Sequence, residues 1–237
     1  MNHRGKIGIL GVSLILIFTV SCLPPGDDLP MNPKTLFLFE SQFLLDVSAV
    51  AIKGSIDFES EYGRESGNFS AIISGVDSLF FLVEGPFKTD LFTLITYGDS
   101  AFAKSRDMKS WEILKSGGIE IPGYDLGDLA PSDLGVYLLP QYYLETTEDI
   151  GRKTTLISRS DNILYFATTV GDSRSFTLQR ESSPITAVYK KAIRFENGRY
   201  PSELVVVNES EDWRISMKID KIRIEPKISP KIWQITP

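Results

Sequence analysis

Over most of this chain, hydrophobic positions alternate singly with polar ones. Val50, Ile52, Ile56 and Phe58 are interleaved with Ala51, Lys53, Ser55, Asp57 and Glu59. Successive side chains of a strand point to opposite faces, so this spacing predicts a strand that is greasy on one face and wet on the other. Phe69, Ala71 and Ile73 repeat the pattern after the turn Glu61-Tyr62-Gly63. Leu79 to Val83 and Leu91 to Tyr97 are apolar on both faces, and Gly98-Asp99 marks the turn that follows. Shorter strands are predicted over Ala101–Lys104 and Trp111–Leu114. Beyond a middle region of different character, strands resume over Thr154–Ser158, Ile163–Val170, Ser175–Arg180, Ala187–Glu196, Glu203–Val207 and Trp213–Glu225. In the last of these, Trp213, Ile215, Met217 and Ile219 share one parity and Ile222 and Ile224 take the other. A bulge or turn is therefore expected near Asp220-Lys221.

Helical spacing is confined to short stretches. Asn32-Pro33 forms a start signal, with Asn able to cap and Pro tolerated at the first helical position. Leu36, Phe39, Phe43 and Val47 then make one apolar stripe, which predicts a helix over 33–46. Asp125–Leu129 and Asp133–Leu139 predict two more short helices, the second capped by Ser132 and ended by Pro140. The sum is a mainly β (α+β) chain. About ten or eleven strands form an antiparallel meander, and the few helices cover its greasy face. No internal repeat and no linker divides it.

The N-terminus has a pattern of its own. Arg4 and Lys6 precede an apolar stretch from Ile7 to Val20, and Thr19-Val20-Ser21-Cys22 closes it. Such a stretch has the length of a signal peptide's apolar region and falls short of the ~20 residues that span a bilayer. The end resembles a bacterial lipobox, in which the Cys is lipidated and becomes the new N-terminus. An ordinary signal peptide or a short anchor with a chance Cys is the plainer reading. Residues 1–21 are thus expected to be a lipoprotein signal peptide, 22–32 a lipidated flexible tether, and 33–237 the folded domain. Cleavage removes two cations and no acid, taking the net charge from −6 to −8. Leu23 rather than Asp follows the Cys. In the sorting pattern of enteric bacteria this implies the outer membrane, with the protein lipid-anchored and facing the periplasm.

Composition narrows the chemistry. An acidic chain does not suit phosphate neutralisation, so no nucleic-acid partner is expected. The one His, His3, and the one Cys, Cys22, both lie in the leader region. The mature domain then lacks the residues for a histidine triad, a His-ligated zinc or an internal disulfide. No catalytic residue, metal or cofactor is expected. The carboxylate clusters Glu145, Glu148, Asp149 and Glu209, Glu211, Asp212 read as solvated loops.

Three stretches carry a resemblance to a known family. Asp77-Ser78-Leu79-Phe80-Phe81-Leu82-Val83-Glu84-Gly85-Pro86-Phe87 resembles the third strand and following loop of the LolA/LolB superfamily, specifically its membrane-anchored LolB-like branch. Ile121 to Pro140 resembles that branch's central helical segment. Tyr200-Pro201-Ser202-Glu203-Leu204, followed by Trp213 to Ile219, resembles its closing hairpin. The similarity runs in order over about residues 33–225. It implies an antiparallel half-barrel closed by helices, with a greasy cavity for the acyl chains of lipoproteins or lipids. It also implies delivery to the outer-membrane bilayer, with a soluble LolA-like carrier as donor.

By this resemblance Gly85, Pro86 and Phe87 form a protruding loop whose aromatic tip touches the membrane. The plainer alternative is a Phe87 folded into the core. The apolar face formed by Ile52, Ile56, Phe58, Phe69, Leu79, Phe81, Val83, Phe92, Leu94, Trp213, Ile215 and Met217 would line the cavity. Alternation assigns these residues to one face but cannot tell a void from a filled core. A structural or envelope-assembly lipoprotein with the same fold and no acyl cargo is the competing function.

Overall fold

The structure is a computed structural model that describes residues 47–61, 63–114, 118–150, 152–170, 175–195, 198–208, 210–224 and 228–233. The signal segment, Cys22, the tether and the helix expected over 33–46 lie outside the described residues.

The alternating segments form the expected strands. β1 (Ala49–Ser60) pairs antiparallel with β2 (Gly63–Ser74). β3 (Ser78–Glu84), β4 (Asp90–Tyr97), β5 (Ser100–Ser105) and β6 (Glu112–Leu114) continue the meander to one edge. A two-stranded ribbon follows, β7 (Ile119–Ile121) and β8 (Tyr124–Leu126), then two short helices, α1 (Pro131–Leu138) and α2 (Pro140–Tyr143). The second half of the sheet comprises β9 (Leu144–Ile150), β10 (Lys153–Ser158), β11 (Leu164–Val170), β12 (Ser175–Arg180), β13 (Ile185–Phe195), β14 (Gly198–Asn208) and β15 (Trp213–Ile224). The last strand, β15, lies against the first, β1, and joins the two halves into one 13-stranded antiparallel sheet running from β6 to β9.

The sheet is open, because β6 and β9 are not paired with each other. The expectation of a half-barrel of ten or eleven strands therefore holds only in its coarser part, a mainly antiparallel β fold with few short helices. Both wings nevertheless reach the helices. Tyr189 of β13 donates its hydroxyl to the Tyr137 carbonyl of α1 at 2.8 Å, and Tyr165 of β11 donates to Asp133 of α1 at 2.8 Å. From α2, Tyr142 donates to the Val47 carbonyl at 3.1 Å, beside the start of β1. Seven of the eight α1 residues are buried, so this helix is the plug around which the sheet wraps.

The parity slip in β15 has the expected cause. Lys53 pairs with Lys221 and Gly54 with Ile219, so Asp220 has no partner and bulges out. Asp220 and Lys221 are both exposed, and Ile222 is buried again. Opposite the bulge, a Cβ on Gly54 would stand 1.9 Å from the Lys218 carbonyl oxygen. Only glycine fits where the strands approach that closely.

The middle of the chain departs from expectation. Asp125–Leu129 is not a helix. Ile119-Glu120-Ile121 and Tyr124-Asp125-Leu126 are paired strands joined by Pro122-Gly123. Gly123 has φ +87°, the left-handed position that a tight turn with Pro before Gly requires. Ser132 does not cap α1. Ala130 holds the cap position without a side-chain bond, and Pro131 starts the helix with the fixed φ that suits a first position. Pro140 does not end the helical region either. Leu139 breaks it at φ −144°, ψ 65°, and Pro140 opens α2. Glu145, Glu148 and Asp149 lie on the edge strand β9 rather than in a loop. An edge strand has a row of backbone groups open to solvent and tolerates charge for that reason.

Candidate functional site

The greasy face of the first wing carries a chain of aromatic contacts. Phe69 stacks on Phe81 at 5.6 Å between ring centroids, Phe81 meets Phe92 edge-on at 6.3 Å, and Phe92 meets Tyr124 at 5.2 Å. Tyr124 also contacts Phe58 at 5.6 Å. Tyr124 belongs to the ribbon, so the ribbon lies across the sheet as a roof. Beneath it is an apolar cleft, floored by Ile56, Phe58, Phe81, Val83, Phe92 and Ile215 and roofed by Ile119, Tyr124 and Leu126. Leu91, Leu129 and Leu134 complete the wall, and Glu65, Ser66 and Gly67 of β2 form the rim.

Two polar contacts hold the roof down. At the ribbon's turn the Ser105 hydroxyl donates to the Pro122 carbonyl at 2.8 Å. The Tyr124 hydroxyl donates to the Glu65 carboxylate at 2.6 Å, and Arg106 donates to the same carboxylate at 3.3 Å. Burial pushes the Tyr124 hydroxyl well above its ordinary pKa, and the adjoining Glu65 carboxylate pushes it the same way. The phenol therefore stays a donor at any physiological pH. With the roof down the cleft encloses about 40 Å³. Typical small-molecule sites enclose roughly 300–1,000 Å³.

Six of the twelve expected lining residues border this cleft: Ile56, Phe58, Phe81, Val83, Phe92 and Ile215. Leu79 borders a second cavity. Ile52, Phe69, Leu94, Trp213 and Met217 border neither. They are packed in the core, because the whole greasy face is covered while only one end of it lies under the ribbon. The residues missed were those of the roof. Their signal was present in Ile119-Glu120-Ile121-Pro122-Gly123-Tyr124-Asp125-Leu126, an alternating pair around a Pro-Gly turn.

The second cavity lies on the other side of α1 and encloses about 420 Å³. Its walls mix Leu79, Val136, Tyr143, Ile163 and Tyr165 with Asp77, Asp99, Asp161 and Arg180. At its base Asp133 is buried, accepting from the Tyr165 hydroxyl and, at 3.1 Å, from Arg180. Burial raises the Asp133 pKa, opposed in part by Arg180 and by the Tyr165 hydrogen bond. This cluster fastens α1 to the second wing.

Between β3 and β4, Gly85 is buried and Pro86, Phe87 and Lys88 form a single 3-10 turn at the surface. The Gly85 N–H donates to the Thr89 carbonyl at 2.8 Å, and the Thr89 hydroxyl donates to the Pro86 carbonyl at 3.2 Å, so the turn is pinned at its base. Phe87 is 101% exposed, and it and Lys88 have φ of 62° and 58°. Two consecutive bulky residues in the left-handed region store strain of about 1 kcal/mol or more each. Cys22 lies outside the described residues. Among the described residues no group of His, Cys, Asp and Glu is arranged to hold a metal ion, and no helix is long and apolar enough to cross a membrane.

No protein-family model and no curated protein matches this chain. Solved structures do. A LolA superfamily protein from Nitrosomonas europaea aligns over 82% of this chain and 97% of its own, at 9% identity and a TM-score of 0.52. A domain from Vibrio parahaemolyticus named for outer membrane lipoprotein sorting aligns over 81% and 92%, at 8% identity and a TM-score of 0.51. A wide curved antiparallel sheet around a short central helical segment is thus a LolA-like fold, and that fold is what this chain shares with these proteins.

Proposed function

We propose that this protein is a membrane-anchored, LolB-like carrier that takes the acyl chains of lipoproteins or lipids and inserts them into the outer membrane. The observation that carries the reading is the apolar cleft roofed by a ribbon that only a few polar bonds hold in place. The open sheet acts with α1, α2 and the ribbon as an incomplete barrel. Lifting the ribbon would join the cleft to solvent past Glu65 and widen it for a chain. Each buried methylene then contributes about 0.8 kcal/mol. No bond is broken, and cargo moves toward whichever site binds it more tightly. Phe87 is the point of contact with the bilayer, Cys22 carries the anchor, and a soluble LolA-like carrier is the donor.

The small volume of the closed cleft favours a second reading, a structural or assembly lipoprotein of the same fold without acyl cargo. Mass spectrometry of acyl species that co-purify with the full chain carrying Cys22→Ala, which has no anchor of its own, separates the two. The carrier reading expects lipoprotein or phospholipid chains at near one per protein, released when the cleft is blocked by Phe81→Trp. A purified protein free of acyl species that also fails to bind a fluorescent fatty acid overturns it.

A further inference from the structure

The outer face of the sheet, away from the helices, carries a charge pattern that a lipid-binding cleft does not need. Lys53 of β1 stands directly opposite Lys221 of β15, and Ala51 and Ser55 on either side of Lys53 stand opposite Arg223 and Lys218. All four cations are exposed, and none makes an ion pair among the described residues. The acid across from Lys218, Glu203, is held by Lys191 at 2.9 Å. Asp220, in the bulge, adds one acid beside the group. Like charges placed directly opposite destabilise a sheet, so an acidic chain of net charge −6 tolerates this cluster against its own stability. The segment from Arg214 to Lys231 holds six of the chain's 25 cations and only two acids.

An apolar row adjoins the cluster. Register partners share a face, and Arg223, Ala51, Ile72, Phe80, Ile95, Phe102 and Ile113 follow one another across six adjoining strand pairs. Ile95 stands between Phe80 and Phe102 in this row and is 2% exposed, and Ile113 at the edge is 70% exposed.

We propose that this outer face, centred on Lys53, Lys218, Lys221 and Arg223, is a docking surface for an anionic phospholipid bilayer. Lipid headgroups offer dense, mobile anions that can settle around four adjacent cations. An acidic protein would have to present fixed carboxylates at the same spacing. The half-buried Phe80 and Phe102 and the exposed Ile113 lie where an apolar edge can sink beneath the headgroups. The proposal rests on the membrane-anchored reading above for the presence of a bilayer, but not on cargo or on Phe87. Docking by this face would hold the anchored domain down on the bilayer.

Vesicle co-flotation of the full chain carrying Cys22→Ala tests it, using phosphatidylcholine vesicles with and without about one-third phosphatidylglycerol. The leader's Arg4 and Lys6 also favour anionic vesicles, so the reading is the difference in preference between the parent and its variants, which share the leader. A preference on the order of tenfold for the anionic vesicles at low salt is expected, lost at high salt. Lys53→Glu with Lys221→Glu should remove most of it, leaving the leader's own share, and Lys53→Gln with Lys221→Gln should reduce it less. Circular dichroism verifies that each variant is folded. Lys109→Glu with Arg152→Glu, the same change in net charge on exposed residues elsewhere, should leave it intact. No anionic preference in the parent, or equal loss in the control pair, overturns the proposal. Failure of Phe87→Glu to impair cargo transfer overturns the delivery reading and leaves this preference unchanged, so the two fail separately.

Discussion

The Tyr124 hydroxyl and the Glu65 carboxylate, 59 residues apart in sequence, meet at 2.6 Å and close the roof over the apolar cleft. Ribbon and sheet also touch at the ribbon's turn, where the Ser105 hydroxyl donates to the Pro122 carbonyl at 2.8 Å, and through Phe58 and Phe92, which are apolar contacts that a bound chain could replace. The Tyr124–Glu65 hydrogen bond has no such substitute. Tyr124→Phe keeps the ring stacking and removes only the clasp, at a cost of about 1 kcal/mol. Melting should fall by a few degrees while a fluorescent fatty acid binds faster. A variant that binds at the parent's rate removes the ribbon from the entry path.

Phe87 loses no burial when changed, because none of it is buried. Phe87→Glu should melt within about a degree of the parent and still bind acyl chains, but deliver them poorly to liposomes. Phe87→Gly should do the same to delivery and raise stability by about 1 kcal/mol, since glycine accepts φ near 62° without strain. Normal delivery by both variants refutes the role of the tip.

Gly54→Ala forces a methyl group into the Lys218 carbonyl and the Phe69 ring. The β1–β15 junction is what joins the two wings. The substitution should cost about 3 kcal/mol or more in a denaturant titration, toward the upper end for single changes. A loss below ~1 kcal/mol would mean that the bulge at Asp220 relaxes freely.

Asp133 sets a pH dependence of unusual sign. Its folded pKa is raised above 3.8, chiefly by burial, so the folded state holds the proton more tightly than the unfolded chain does. Its contribution to stability is therefore full below that value and declines as pH rises through the folded pKa. Asp133→Asn lacks this titration. The parent's stability relative to the variant should be greatest in acid and shrink as pH rises from about 3 toward neutrality. Melting curves of both proteins across that range check it, and an advantage that grows with pH contradicts it.

Where burial is one-sided, the strands could be read from the chain. Val50 to Phe58 and Trp213 to Ile219 alternate because one face meets a core and the other meets water. The parity slip at Asp220 was legible because a bulge shifts every later side chain by one face. β9 escaped because Leu144-Glu145-Thr146-Thr147-Glu148-Asp149-Ile150 has little apolar side to bury at an edge. The ribbon's strands are three residues each, so the alternation about Pro122-Gly123 is a weak signal beside the helical expectation for Asp125–Leu129.

Alternation determined which residues face inward, and the Gly-Pro-Phe bend determined that the chain turns at Phe87. Whether an inward residue meets a neighbour or a void depends on what packs over it, and α1 and the ribbon are distant in sequence from the strands they cover. That is why Phe81 borders the cleft while Phe69, on the same face, is sealed in the core. The pairing of β15 with β1 is also tertiary. It alone sets Lys53 against Lys221, because no local spacing couples strands more than 150 residues apart.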